Sequence, residues 1–175
     1  MSGHNKWTQI KRQKEAVDKK RALIFAKLLK AISVAARSEP NPDFNPKLRA
    51  AIEKAKENNV PQDNIERAIK KASEANNNLE ELIIESYGPE GTAFLIEAAT
   101  DNKNRTISEI KKILADNEAK FAEAGSVQWA FENIDNNWKA KFPIEISQNS
   151  REKIQKLLDL LEDRDDVLKI FHNIK

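Results

Sequence analysis

The residues with the clearest chemistry are ten cations within the first 37 positions: Lys6, Lys11, Arg12, Lys14, Lys19, Lys20, Arg21, Lys27, Lys30 and Arg37. Only two acids, Glu15 and Asp18, accompany them, so this stretch carries a net charge of +8. The whole chain carries +2, which leaves −6 for residues 38–175. A cationic pole of this density neutralises phosphates and releases their counterions, giving affinity for nucleic acid without sequence readout. Trp7 sits among the charges and can stack on a base or ribose. Gly3 and His4 belong to the same stretch, where His4 in a glycine-flanked tail is a candidate phosphate or RNA contact. The competing reading is a solvated helix face with a frayed end.

Two loops form a candidate second contact, through Tyr87, Gly88, Asn104 and Arg105. Tyr87-Gly88-Pro89-Glu90-Gly91 either presents an aromatic ring and backbone N–H groups to a ligand or closes a tight hairpin, and turn chemistry favours the hairpin. The run DNKNRT (101–106) either holds an anion at a helix N-terminus or is a capped polar loop. The acidic run EDRDD (162–166) lacks the spacing of a cation-binding loop and reads as a solvated helix end.

Catalytic chemistry finds no support. The chain has no cysteine, and its two histidines, His4 and His172, stand at opposite ends of the sequence. No multi-histidine metal site, nucleophile set, paired carboxylate motif or glycine-rich phosphate loop is legible. The expectation is a non-enzymatic protein with no cofactor, no metal and no small-molecule substrate. No apolar run approaches the length of a membrane span. The start lacks a secretory apolar stretch, so a cytoplasmic protein is expected. Apolar residues make up 39% of the chain and charged residues 33%, enough for a packed core beneath a solvated surface.

Helices and strands must position these groups. Residues 1–75 read as an all-helical basic domain. Ile24, Phe25, Leu28, Leu29, Ile32, Ala35 and Ala36 share one helical arc, with Lys20, Lys27, Lys30 and Arg37 opposite. Asn45-Pro46 reads as an N-cap followed by a first-turn proline. The similar segments LRAAIEKA (48–55) and IERAIKKA (65–72) predict two amphipathic helices packed on the first, a three-helix bundle, with Asp63 and Glu66 marking the start of the last. A polar linker spans 73–78. From 79 to 175 the pattern changes to alternation. Strands are predicted at 82–87, 92–99, 127–132, 138–146 and 167–174, with helices at 107–117 and 150–163. Thr106 and Glu109 suggest a capping box for the first of these helices, and Pro143 suggests an edge or bulge. The expected fold is α+β: a helical bundle plus a ferredoxin-like β-α-β-β-α-β domain with an extra strand.

Several of these segments together resemble one family. GHNKW (3–7), IFAKLLKAISVAAR (24–37), NPKLRAAIEKA (45–55), NNVPQDNIERAIKK (58–71), YGPEG (87–91), TDNKNRT (100–106), GSVQW (125–129) and LLDLLEDRDDV (157–167) follow the pattern of the YebC family in order. The family includes bacterial proteins labelled probable transcriptional regulators and the mitochondrial translational activator of cytochrome c oxidase subunit I, and bacterial members have been linked to ribosomes. The resemblance implies a regulator of gene expression that touches nucleic acid, with ribosomal RNA or the ribosome favoured and duplex DNA as the alternative. A third reading is an adaptor whose acidic second domain binds a basic protein. The resemblance places weight on Gly3, His4, Lys6, Trp7, Tyr87, Gly88 and Arg105. Typical members are longer. The resemblance implies that their third domain is absent here between about 134 and 138, where the flanking strands can pair directly. Ala119-Lys120 stands where the family usually has paired glycines.

Overall fold

A computed structural model of the protein describes residues 3–74 and 78–175, with side chains described from residue 6. Helix α1 runs Gly3–Ala36, α2 Pro46–Glu57 and α3 Gln62–Ala72. No proline or glycine interrupts the chain from His4 to Glu39, so the expected tail is instead the continuation of α1, about 50 Å long in all. Leu28, Ile32, Ala35 and Ala36 of α1 meet Leu48 and Ala55 of α2 and Ile65, Ala68 and Ala72 of α3 in one buried cluster. The alanines allow close helix approach, and Ser33 Oγ donates to the Ala68 carbonyl at 3.1 Å.

Asn45 joins two of these helices. Its Oδ1 accepts from the Leu48 N–H at 3.0 Å, capping α2, while its Nδ2 donates to the carbonyls of Ala35 and Glu39 at 2.8 and 2.7 Å. Those carbonyls lie at and beyond the end of α1, where no further helical turn can satisfy them. Asn45 is buried. Asn45→Ala is therefore expected to cost about 2–3 kcal/mol, a lost cap plus stranded acceptors. Urea denaturation measures it, and a loss below about 0.5 kcal/mol would show that water replaces the amide.

The rest of the chain forms β1 Glu80–Tyr87, β2 Ala93–Thr100, α4 Lys103–Asp116, β3 Lys120–Ala122, β4 Phe131–Ile134, β5 Asn137–Ala140, α5 Gln148–Glu162 and β6 Val167–His172. An antiparallel sheet of order β3-β1-β2-β6 is covered on one face by α4 and α5. Leu82, Ile84, Ile96 and Ala98 pack there against Ile110, Leu114, Leu157 and Leu161. The architecture is α+β, as expected. The strand arrangement differs from the expected ferredoxin-like sheet: β4 and β5 pair only with each other, and β1 together with the unexpected short strand β3 takes their place in the sheet. Their apolar residues Phe131, Trp138 and Ala140 lie against Ala93, Leu95 and Phe171. The hairpin thus covers the second face of the sheet rather than extending its edge. The strand expected as an addition, β1, is central.

Three local expectations are corrected. The strand expected at 127–132 is a 3₁₀ turn over Gln128–Ala130 followed by β4. The cause is Glu85, a buried carboxylate on β1 that accepts from the N–H groups of Gly125, Val127 and Gln128 at 2.6, 2.6 and 3.0 Å. Gathering near-successive N–H groups around one carboxylate requires a curled backbone, and alternating apolar residues cannot override it. The strand expected to reach Ile146 stops at Ala140, which pairs with Phe131, the first residue of β4, because the 3₁₀ turn before Phe131 offers no further strand to pair with. Ile144 instead bridges Ile174. Finally, α4 begins at Lys103, capped by Asn102 Oδ1 on the Arg105 N–H at 3.0 Å. Thr106 lies inside the helix and turns its hydroxyl inward.

Candidate nucleic-acid interface

Helix α1 has two regions with different surroundings. Every described residue from Lys6 to Ala22 is exposed, and the first buried side chain is Leu28. This arm carries Lys6, Lys11, Arg12, Lys14, Lys19, Lys20 and Arg21. At 100° per residue these cations point around the whole circumference, so the arm has no single basic face. Among the described residues, Lys6, Arg12, Lys14, Lys19 and Lys20 form no ion pair. Trp7 is 66% exposed, with Lys11 Nζ 5.7 Å from its ring centre, and Arg21 lies similarly over Phe25. Cation–π contacts of this kind leave the cations accessible to phosphates. The side chain of His4 lies outside the described set.

The remaining predicted cations are separate from the arm. Lys27 Nζ donates to the Glu162 carbonyl at the end of α5. Lys30 Nζ donates to the Asp165 carbonyl at 3.1 Å and to Asp166 Oδ1 at 3.0 Å. Burial holds Lys27 below the ordinary lysine range even though Glu162, Asp163 and Asp165 pull it the other way. These two lysines join the helical bundle to the sheet domain, so the basic arc inferred from helical spacing is in large part an internal contact. Arg37 follows the last turn of α1, far from the arm.

Asp166 is the centre of that contact. It is 3% exposed. Its Oδ2 accepts from Thr106 Oγ1 at 2.6 Å and from Arg105 Nη2 at 3.3 Å, opposite Lys30 on Oδ1. The acidic run therefore does not end wholly in solvent: Asp165 is exposed and Asp166 is buried. Burial alone would raise the Asp166 pKa, but the bonds from Thr106, Lys30 and Arg105 outweigh it and hold the carboxyl below its ordinary 3.8.

The candidate second contact does not assemble. Tyr87 pairs with Ala93 at one end of the β1–β2 ladder, while Asn104 and Arg105 follow Thr100 at the other. About 20 Å of strand separates them. Arg105 is held by Asp101 at 2.9 Å and by Asp166, and Asn104 is exposed beside it. The Tyr87 hydroxyl donates to the Ser126 carbonyl at 2.6 Å, and Trp129 Nε1 donates to the same oxygen at 2.8 Å. A Cβ on Gly88 would lie 2.5 Å from the Phe94 ring, so glycine there is a packing requirement. Glu90, at φ 57°, accepts from the Ser147 N–H and hydroxyl at the start of α5. The loop is a structural hairpin. Helical and strand periodicity does not reveal Asp166, Glu85 or Glu90, because their partners lie 40 or more positions away. Their sequence signals are slight: Glu85 is an acid within a strand, Glu90 an acid within a turn, and Asp166 the last member of an acidic run.

These features define a class: an α+β protein with a projecting basic helix, a small helical bundle and a four-stranded sheet domain latched to it. Residues 5–75 match the model of the TACO1/YebC protein N-terminal domain, and residues 79–135 match that of the TACO1/YebC second and third domain. The chain belongs to the TACO1/YebC family. A protein of Fervidobacterium nodosum called "Probable transcriptional regulatory protein" is 38% identical across 99% of this chain and 93% of its own length. That alignment runs over 235 positions, 60 more than this chain has residues. A protein of the same name from Trichlorobacter lovleyi is 51% identical over 75% of this chain and 55% of its own length. The crystal structure of a conserved hypothetical protein from Aquifex aeolicus superposes with a TM-score of 0.82 at 30% identity, covering 91% of this chain and 92% of that one. The second family match ends at Asp135, in the two-residue turn Asp135-Asn136 between β4 and β5, where both residues have positive φ. Among the described residues no helix is long and apolar enough to cross a membrane.

Proposed function

We propose that this chain is a nucleic-acid-binding regulator of gene expression that works by binding, without catalysing a reaction, and that its target is RNA in the setting of the ribosome. The arm carries this reading: residues 6–22 of α1 are exposed throughout and hold seven cations against two acids. A helix charged on every side suits a crevice walled by phosphates better than a flat surface. The names of the relatives support regulation of gene expression, and the resemblance to a translational activator favours RNA. The same names favour a second reading, in which the arm lies in the major groove of duplex DNA.

Salt titration of binding tests the arm. Neutralising Lys19, Lys20 and Arg21 to glutamine is expected to reduce the slope of log K against log salt by about 2–3, given 0.7–0.9 per phosphate contact. Fluorescence anisotropy with RNA and with duplex DNA of matched sequence measures it. An unchanged slope would remove the arm from the interface. Tighter, sequence-dependent binding to the duplex would favour the second reading. Co-sedimentation with ribosomes at low salt, insensitive to DNase, is the expected result for the first.

A further inference from the structure

The helical bundle and the sheet domain enclose a cleft of about 440 Å³, a size typical of pockets that hold small ligands. Its floor is a row of three side chains: Ile83 of β1, Glu97 of β2 and Lys169 of β6. Glu97 is the direct cross-strand partner of both Ile83 and Lys169, so all three project from the same face of the sheet. The β4–β5 hairpin supplies Trp138, whose indole N–H donates to Glu97 Oε1 at 3.1 Å. Lys27 of α1 and Lys54 of α2 line the opposite side.

Two properties of this row point to a ligand. Ile83 is 47% exposed, although its neighbours Leu82 and Ile84 are buried. It is an uncovered apolar surface inside a cleft. Burial pushes the Glu97 carboxyl above its ordinary range, against the pull of Lys169 and the Trp138 indole. Its second oxygen, Oε2, takes no hydrogen bond from the indole. Apolar surface, an acceptor carboxylate and flanking ammonium groups together match a nucleobase carrying its phosphate.

We infer that the cleft receives one unpaired nucleotide of the bound nucleic acid, with its base over Ile83 beside Trp138, its edge on Glu97 and its phosphate at Lys54 and Lys169. The inference rests on the nucleic-acid reading above. With Lys169 beside it and the Trp138 indole on Oε1, both of which favour the charged form, Glu97 meets the base as a carboxylate, which only accepts hydrogen bonds. Guanine presents two adjacent donors, N1–H and N2–H₂, on its Watson–Crick edge. Adenine and cytosine set an acceptor nitrogen beside their single amino donor, and uracil flanks its one N–H with carbonyls. The cleft therefore selects guanine. Unpaired bases are splayed into protein pockets in this way when RNA is read by sequence.

The test uses the full chain and short oligouridylates with guanosine, adenosine, cytidine or uridine at the central position. The guanosine oligomer is expected to bind about tenfold tighter than the others, the worth of one good bidentate contact. Glu97→Gln, checked for folding by circular dichroism, is expected to abolish that preference and leave all-uridine binding unchanged, since the arm is intact. Lys54→Gln, an exposed change, is expected to weaken GMP binding severalfold and leave guanosine binding unaltered, read by indole fluorescence. Equal binding of the four oligomers, or a preference retained in Glu97→Gln, overturns the inference. GMP binding without any oligomer binding upholds the cleft as a nucleotide site and overturns the nucleic-acid reading. Failure of every probe overturns both.

Discussion

Replacing Glu85 with alanine is expected to lower the folding stability of the chain by about 2–4 kcal/mol. The carboxylate is 4% exposed and accepts from three N–H groups, two of them at 2.6 Å. Removing it strands the buried Val127 N–H, at about 1–3 kcal/mol for an unsatisfied buried group, and gives up the bonds to the exposed Gly125 and half-buried Gln128 N–H groups, which water can meet. Val127 is fully buried, so water cannot reach its N–H as a substitute. The consequence spreads, because the curled 125–128 segment presents the Ser126 carbonyl to both Tyr87 and Trp129. Glu85→Gln retains one acceptor oxygen and is expected to lose roughly half as much. Urea denaturation gives the stabilities, and near-ultraviolet circular dichroism reports the packing of the aromatic side chains, Trp129 among the three tryptophans. A loss below about 1 kcal/mol in Glu85→Ala would mean that the apolar contacts of Val127, Ala130 and Phe131 alone hold the loop.

The second large effect belongs to Asp166. Asp166→Ala is expected to cost about 2–3 kcal/mol, since it removes the shared acceptor of Lys30, Thr106 and Arg105 and leaves Lys30 only the Asp165 carbonyl and Thr106 only the Thr100 hydroxyl. The side chain of Lys30 is 20% exposed and that of Asp166 is 5% exposed, so screening by water is weak. The pH dependence has a definite sign. A carboxyl whose folded pKa lies below its ordinary 3.8 contributes stability above that value and loses it as pH falls through the folded pKa. The wild type should therefore lose stability from about pH 5 downward, and Asp166→Asn should flatten that part of the curve. Parallel acid-side slopes in the two proteins would assign the acid sensitivity to other carboxylates. Because Asp166 joins α1 and α4 at the start of β6, the alanine variant also bears on function: it loosens Lys30, which keeps the Asp165 carbonyl, without changing the arm. Nucleic-acid affinity that rises only modestly in this variant supports the arm as the principal phosphate contact.

The helical region is close to fully legible from sequence. Leu48, Ala51, Ile52 and Ala55, and Ile65, Ala68, Ile69 and Ala72, repeat at helical spacing, and all of them enter or border the same core. Asn45-Pro46 announces the start of α2, and the structure uses it so. These features are legible because capping and amphipathicity are local, set by residues within a few positions of one another. The α+β class and most strands follow for the same reason. The basic pole is a count of side chains, independent of any fold, and the arm preserves it in accessible form.

Three features were decided only by tertiary contact. Helical spacing placed Lys20, Lys27, Lys30 and Arg37 on one arc, yet Lys27 and Lys30 meet α5 and β6, some 135 positions away. The alternation of Val127, Trp129 and Phe131 spelled a strand, and a carboxylate 40 positions earlier bent it into a turn. Glu97 read as one polar residue in a strand, and only the pairing of three strands put it between Ile83 and Lys169 opposite a lysine-lined helix face. In each case a buried or half-buried charge chose its partner across the fold. Taking an ion out of water costs several kcal/mol unless a partner meets it, and that demand overrides local preferences worth about 1 kcal/mol or less per residue. Sequence alone determined the charge of this protein, its helices and its class. Tertiary structure decided which charges remain free to meet another molecule.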